Sequence, residues 1–305
     1  MEMVNPGHGR AGLRSLVAVV LMAAVLLGAS PVQAENDRFG LRVVQSGHSL
    51  TDPIVPVLKA LVASVRGEGG PRGRIVKSTI PGSPMEMRWS QPNQYETDAR
   101  REIADFDVLV LTERASLSNT MPYHDTLDSA VTWTRHAWAE GNGGQGAATI
   151  LYATWVDVES GPDWDNPYKD PEGNIPFRER MPLEMARWQE VADHVNANLP
   201  EGAPPMKVIP GPLIMAAVHD AIADGRAPGL TRIEDLFSDS IHLNDDGAYL
   251  IGLAHLAVIY DVDPRSQRGG MGRLPVPRPE TADWMKQLVH EVLLDYPDSD
   301  YSGGR

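Results

Sequence analysis

Apolar residues along the chain fall into two alternating rhythms. Short β-branched runs at 41–46, 74–80, 107–111, 148–154 and 206–209 are separated by longer stretches in which apolar positions return every three or four residues. In the first of these stretches Ile54, Val57, Leu58, Leu61, Val62 and Val65 share one helical face, behind the helix-start signal Thr51-Asp52-Pro53. A second helix carries Leu127, Val131, Trp133, Thr134, Ala137 and Trp138 and stops at Gly141-Asn142-Gly143-Gly144. Further helices are predicted at 183–198, 212–224, 245–260 and 281–294, the last with Trp284, Leu288, Val292 and Leu293 as its apolar stripe. Strands that alternate with amphipathic helices predict an α/β fold, a parallel sheet covered by helices.

Two segments break the rhythm. Arg10 and Arg14 precede an apolar run over 16–27, and Val32-Gln33-Ala34 offers small residues at cleavage spacing. This reads as a signal peptide removed after Ala34, because the run is shorter than the ~20 residues of a bilayer span. The mature chain is then periplasmic or secreted, without stable membrane insertion, and divides into a catalytic domain (35–265) and a C-terminal extension with one helix (266–305). The second segment, 156–182, is rich in Asp, Pro, Gly and Asn and has neither period. Its aromatics Trp164, Tyr168 and Phe177, with Trp155 just before, are candidates for one wall of a substrate cleft; the competing reading has them pin a surface loop to the body.

Composition narrows the chemistry. The chain of 305 residues is 42% hydrophobic and 22% charged, an ordinary globular balance. It has no cysteine, which removes disulfides, thiolate catalysis and zinc–thiolate sites together. A formal charge of −14 without an aromatic and basic cluster argues against nucleic acid as a partner, and disfavours polyanionic substrates unless a local basic patch offsets the field.

Two constellations carry candidate chemistry. Ser46-Gly47-His48-Ser49-Leu50 follows the first strand directly, so Ser49 lies on a strand-to-helix turn at the carboxyl end of the sheet. Taken alone, a serine there is most often a plain helix cap. Near the other end, Phe237-Ser238-Asp239-Ser240-Ile241-His242-Leu243-Asn244 puts Asp239 and His242 on one loop, with Asn244 or Asp245 placed to cap the next helix. A serine hydroxyl needs a base near neutral pH, and a histidine serves only if its other ring nitrogen is held by an acceptor. Asp239 can supply that acceptor.

Gly47-His48-Ser49-Leu50 resembles the nucleophile block of the SGNH/GDSL hydrolases, and Asp239-Ser-Ile-His242-Leu-Asn resembles that family's terminal Asp-x-x-His block. The resemblance covers residues 41 to about 260. It implies a flavodoxin-like three-layer α/β/α sandwich with a five-stranded parallel sheet, no cofactor or metal, and ester cleavage by Ser49, His242 and Asp239. It also implies an oxyanion hole from the Ser49 amide, from Gly82 in Ile80-Pro81-Gly82-Ser83-Pro84, and from an asparagine after the third strand. Here the sequence departs from the pattern, since Thr112-Glu113-Arg114 stands where the family has Gly-x-Asn-Asp. Thr112, Arg114 and Asn119 are the candidate replacements, whereas an ionised Glu113 cannot donate. Glu113, Arg114 and Trp155 are candidate substrate contacts. His48 replaces the family's aspartate, and a metal site of His48 with His124 or His136 has no support in ligand spacing.

The function expected from these features is an exported ester hydrolase acting on a small-molecule or carbohydrate ester, with O-acetylated carbohydrate as the first candidate. The same triad would also serve a lipase, lysophospholipase, thioesterase or O-acyltransferase. A fold kept for carbohydrate binding without turnover is the non-enzymatic alternative.

Overall fold

The computed structural model describes residues 38–66, 70–93 and 97–304; the expected signal peptide lies outside them. Five parallel strands, β1 (Val43–Gly47), β2 (Ile75–Thr79), β3 (Val108–Leu111), β4 (Ala148–Ala153) and β5 (Lys207–Pro210), form one sheet in the order β2-β1-β3-β4-β5. All five runs read from the sequence are strands, with ends that differ from the expectation by one or two residues. Strands β1, β3 and β4 are buried almost throughout, as expected of a parallel sheet with both faces covered. The chain leaves β1 for β2 on one side and returns to β3 on the other. That reversal opens a crevice at the carboxyl ends of β1 and β3, where open α/β sheets place ligands.

Eight helices of the described residues surround the sheet: α1 (Ile54–Arg66), α2 (Met85–Ser90), α3 (Leu117–Thr120), α4 (Thr126–Gly144), α5 (Phe177–Ala197), α6 (Gly211–Ala223), α7 (Asp245–Tyr260) and α8 (Pro279–Leu294). Alternation along the strands divides the core in two. Val43, Val110, Ile150, Tyr152 and Ile209 face α1, α6 and α7, while Val44, Leu109, Leu111 and Leu151 face Trp133 of α4 and Trp188 of α5. Each fully buried aliphatic side chain contributes about 1.5–3 kcal/mol relative to exposure. The architecture is thus the three-layer α/β/α sandwich expected from the resemblance.

Helix α7 is buried on every side from Gly247 to Tyr260, because it lies between the sheet, α1 and α8. Gly252 makes the close approach to α1 feasible: a Cβ there would stand 2.6 Å from Cγ1 of Val57. Ala282, Met285, Leu288, Val289 and Leu293 of α8 join the same core. Among the described residues no helix is long and apolar enough to cross a membrane.

Three helices differ from the sequence expectation. α2 and α3 are too short to show a period. α5 begins at Phe177, six residues before the expected start, and carries Pro182 inside it. Phe177, Met181, Met185 and Trp188 continue one apolar face through the proline, so core burial there outweighs the missing N–H.

Candidate active site

Gly47 ends β1 and permits the turn that presents Ser49. A Cβ at Gly47 would lie 2.1 Å from Oγ1 of Thr51 and 3.0 Å from Cγ2 of Thr112, so any larger residue must push these side chains aside. The Thr51 N–H donates to the His48 carbonyl (2.8 Å) and the Ile80 N–H to that of Gly47 (3.1 Å), which fixes the turn against the end of β2. Ser49 itself is half-buried and open to a cavity.

Across that cavity stands His242, with Nε2 2.9 Å from the Ser49 hydroxyl and Nδ1 2.8 Å from Oδ2 of Asp239. Oδ1 of Asp239 accepts the Ile241 N–H (2.9 Å) and the His242 N–H (2.7 Å). Partial burial pushes the Asp239 carboxyl up, but these two backbone donors and the imidazole outweigh it and hold the group below the usual carboxylate range. An ionised Asp239 favours the imidazole tautomer with its proton on Nδ1, leaving Nε2 free to accept from Ser49.

The loop that carries Asp239 and His242 is anchored from both ends. Phe237 and Leu243 pair as an antiparallel bridge, and Asn244 caps α7 by accepting from the N–H groups of Asp246 and Gly247 (3.0 Å each). From the segment after β4, the Trp155 indole donates to the Ile241 carbonyl (3.0 Å) and the Val158 N–H to that of Ser240 (2.8 Å). The Ser240 hydroxyl completes the seam by donating to Asp157 (2.7 Å). Trp155 also meets Phe237 edge to face.

A buried arginine ties the opposite side together. Arg88 of α2 donates from Nε to the Ser46 hydroxyl (3.2 Å) and from Nη1 to the Ser83 hydroxyl (3.1 Å). It also donates to the carbonyls of Ser83 and Thr112. The chain ends leaving β1, β2 and β3 are therefore joined through one guanidinium. Burial pushes its pKa down to about 10, so it stays charged near neutrality, with the nearby Glu113 carboxylate favouring that charge.

Glu113 is itself fully buried, accepting from the N–H groups of Met85 (3.0 Å) and Arg114 (2.7 Å) and from the Thr126 hydroxyl (3.1 Å). Next to Ser49, His48 lies 3.0 Å through Nε2 from the Glu113 carbonyl, and its Nδ1 faces the Leu50 N–H at 3.4 Å. Burial, then the charge of Arg88, lowers its pKa to about 4, so the ring is neutral and bridges two backbone groups. His124 is held by Glu86 (2.6 Å) and His136 by the Arg100 carbonyl (2.7 Å), so the three histidines have separate partners.

The cavity has a volume of about 350 Å³, with Gly82, Arg114, Trp164 and Tyr168 among its walls. Gly82 adopts φ +63°, the left-handed region that favours glycine. Among the described residues, neither the Ser49 nor the Gly82 amide donates a hydrogen bond. On the far wall Asp170 accepts from the hydroxyls of Ser116 (2.5 Å) and Ser118 (2.8 Å) and pairs with the fully buried Arg180 (2.9 Å). That network holds the 156–182 segment in place, as do the reciprocal bonds between Asn166 and Asp170 (2.8 Å each).

The structure corrects several side-chain expectations. Trp155 is not a substrate platform: its ring is fully buried and its indole N–H is committed to Ile241. Phe177 is likewise in the core, whereas Trp164 and Tyr168 do reach the cavity. Glu113 is not a substrate contact, since its carboxylate is enclosed by Met85, Arg114 and Thr126. Thr112 is not an oxyanion donor, being buried with its hydroxyl turned to the Glu113 carbonyl (3.4 Å). Asn119 lines the cavity, but its amide already donates to the Tyr168 carbonyl (3.1 Å). Sequence reading missed Arg88, Asp157 and Asp170, each of which has a partner 24 or more positions away that no local pattern shows.

No family model matches the chain, and no curated protein does. Among solved structures it is similar to a DUF4886 family protein from Bacteroides uniformis ATCC 8492, with a TM-score of 0.55 and 15% identity over 85% of this chain and 96% of that one. It also aligns with a "putative SGNH hydrolase" from Slackia heliotrinireducens at a TM-score of 0.42 and 18% identity, over 71% of this chain and 97% of that one. At such identities the first likeness speaks to fold alone.

Proposed function

We propose that this protein is a serine-dependent carboxylic-ester hydrolase. The observation that carries the reading is the continuous hydrogen-bonded chain from Asp239 through His242 to Ser49, set at the wall of a cavity. His242 takes the Ser49 proton as the hydroxyl oxygen attacks the ester carbonyl. The free amides of Ser49 and Gly82 receive the oxyanion, and His242 then returns the proton to the departing alcohol. Water activated by the same imidazole attacks the acyl-serine and releases the acid. The side chains of His242 and Asp239 are 40% and 55% exposed, which gives water ready access to this second step and favours hydrolysis over transfer to another hydroxyl.

The substrate favoured here is a short acyl ester on a carbohydrate, met outside the cytoplasm after removal of the N-terminal 34 residues. Its support is the placement of Trp164 and of Tyr168, 69% exposed, at the cavity, where aromatic faces can stack on a sugar ring. The test is hydrolysis of p-nitrophenyl acetate and its longer-chain homologues by the mature protein beside Ser49→Ala. Turnover that falls with chain length and vanishes in the variant is expected. Equal rates in both proteins would remove the enzymatic reading, and a long-chain optimum would redirect it to lipid esters.

A further inference from the structure

We propose that Arg114 recognises a carboxylate carried by the substrate beside the scissile ester, so that the preferred substrates are esters of acidic compounds such as O-acylated sugar acids. The inference rests on the reading of Ser49 as nucleophile. It starts from a charge without a counterpart. Arg114 lines the same cavity as Ser49 and His242, half-buried, and among the described residues its guanidinium makes no hydrogen bond or ion pair.

Acidic groups are close at hand, yet each is engaged elsewhere. Asp170 is neutralised by Arg180 and two hydroxyls, Asp157 accepts from Ser240 and from the Glu159 N–H (3.0 Å), and Glu113 is enclosed below the cavity floor. Glu113 nevertheless fixes Arg114 through its backbone N–H, so the base of the side chain is anchored and only the fork is free.

Topology sets the direction. Arg114 is the third residue after β3, and β3 adjoins β1, whose turn carries Ser49, so Arg114 stands on the flank opposite Gly82 and lines the same cavity as Ser49. A planar fork of N–H donors on a partly desolvated charge matches a carboxylate better than a neutral hydroxyl. The acidic remainder of the molecule, at −14 overall, repels polyanions. The fit is therefore to a single negative group next to the ester, with the sugar face left to Trp164 and Tyr168.

The experiment compares two acetyl esters that differ in one group, the charged carboxylate of 4-acetoxybenzoate and the neutral methyl ester of methyl 4-acetoxybenzoate, on the wild-type chain, Arg114→Gln and Arg114→Lys. Taking the ratio of kcat/KM between the two esters, and then comparing proteins, cancels the different leaving abilities of the phenols. Arg114→Gln should lower that ratio roughly ten- to a hundredfold, through KM of the charged ester, as loss of a charge-assisted pair implies. Arg114→Lys should restore part of it, and thermal melts confirm that the variants fold. An unchanged ratio overturns the proposal. An equal fall of kcat on both esters also overturns it and makes Arg114 an oxyanion donor instead. Ser49→Ala serves as a separate arm: loss of all turnover keeps the nucleophile assignment whatever Arg114 does, and wild-type rates there would remove that assignment alone.

Discussion

Replacing Asp239 by asparagine keeps the shape of the side chain and reverses one hydrogen bond. Oδ1 accepts from the N–H groups of Ile241 and His242, at 2.9 and 2.7 Å. An amide NH2 turned toward those donors would set donor against donor and lose both hydrogen bonds, each worth about 0.5–1.5 kcal/mol. The asparagine therefore turns its carbonyl to the backbone and its NH2 to Nδ1 of His242. Nδ1 must then accept, the ring proton moves to Nε2, and the atom 2.9 Å from Ser49 Oγ can no longer take a proton. A base held in the wrong tautomer lowers kcat on the order of 10⁴-fold, about 5.5 kcal/mol of transition-state stabilisation. Hydrolysis of p-nitrophenyl acetate by Asp239→Asn, with burst kinetics to separate acylation from deacylation, measures this directly. A variant that folds and keeps kcat within tenfold of wild type would refute the tautomer argument and reduce Asp239 to an anchor of the loop.

Other perturbations test the scaffold around that chain. Arg88→Met leaves the Ser83 and Thr112 carbonyls without their donor and Glu113 without its nearby cation; breaking such a buried charged network costs about 3–5 kcal/mol, or about 6–20 °C in a thermal melt. Trp155→Phe removes the indole N–H, strands the Ile241 carbonyl and leaves part of a fully buried ring's volume empty, so a loss of at least about 1–3 kcal/mol in denaturant titration should accompany a severalfold fall in kcat. Gly47→Ala should overpack the turn against Thr51 by about 1–3 kcal/mol and lower activity further than stability, read by comparing melts with turnover. Glu184, fully buried, has its carboxyl pushed up by burial to about 7 from 4.5, so the folded state binds a proton that the unfolded chain has released and stability falls as pH rises through that window. Glu184→Gln should therefore gain up to about 3 kcal/mol over wild type between about pH 5 and pH 8 in paired melts. His48 and His255, lowered to about 4 by burial, act in the opposite sense: the unfolded chain takes up protons first, stability falls as pH drops from 6.5 toward 4, and Glu184→Gln should steepen that acid loss.

Much of the architecture was legible because it is written in local patterns. β-branched runs and helical periods need only near neighbours, and all five strands were found from them. Ser49 and the Asp239–His242 pair stood out only jointly, as two short blocks that together resemble a known family's, since a serine on that turn taken alone reads as a helix cap. What escaped depends on distant partners. Trp155 looked like a sugar platform beside a loop rich in glycine and proline, and only Ile241, 86 positions away, decides where its N–H points. Arg88 sits in a helix of six residues, too short to show a face, and its bond to Ser46 spans 42 positions. Pro182 hid the first six residues of α5 because a proline in a sequence reads as a boundary, while the apolar face continues through it. Glu113 could be judged unfit as a donor from its charge, but its enclosure by Met85 and Thr126 required the folded chain.

The separation of 193 positions between Ser49 and His242 makes the order of synthesis matter. A chain emerging from the ribosome makes Ser49 early, on a turn between β1 and α1 that is tied to the end of β2. The imidazole arrives after β4, α5, β5 and α6 have been made, and it meets the serine only once α7 has seated between α1 and the sheet. Until then the hydroxyl has no base and is as inert as any surface serine. On the proposed mechanism, the onset of ester hydrolysis during refolding would report docking of the C-terminal half.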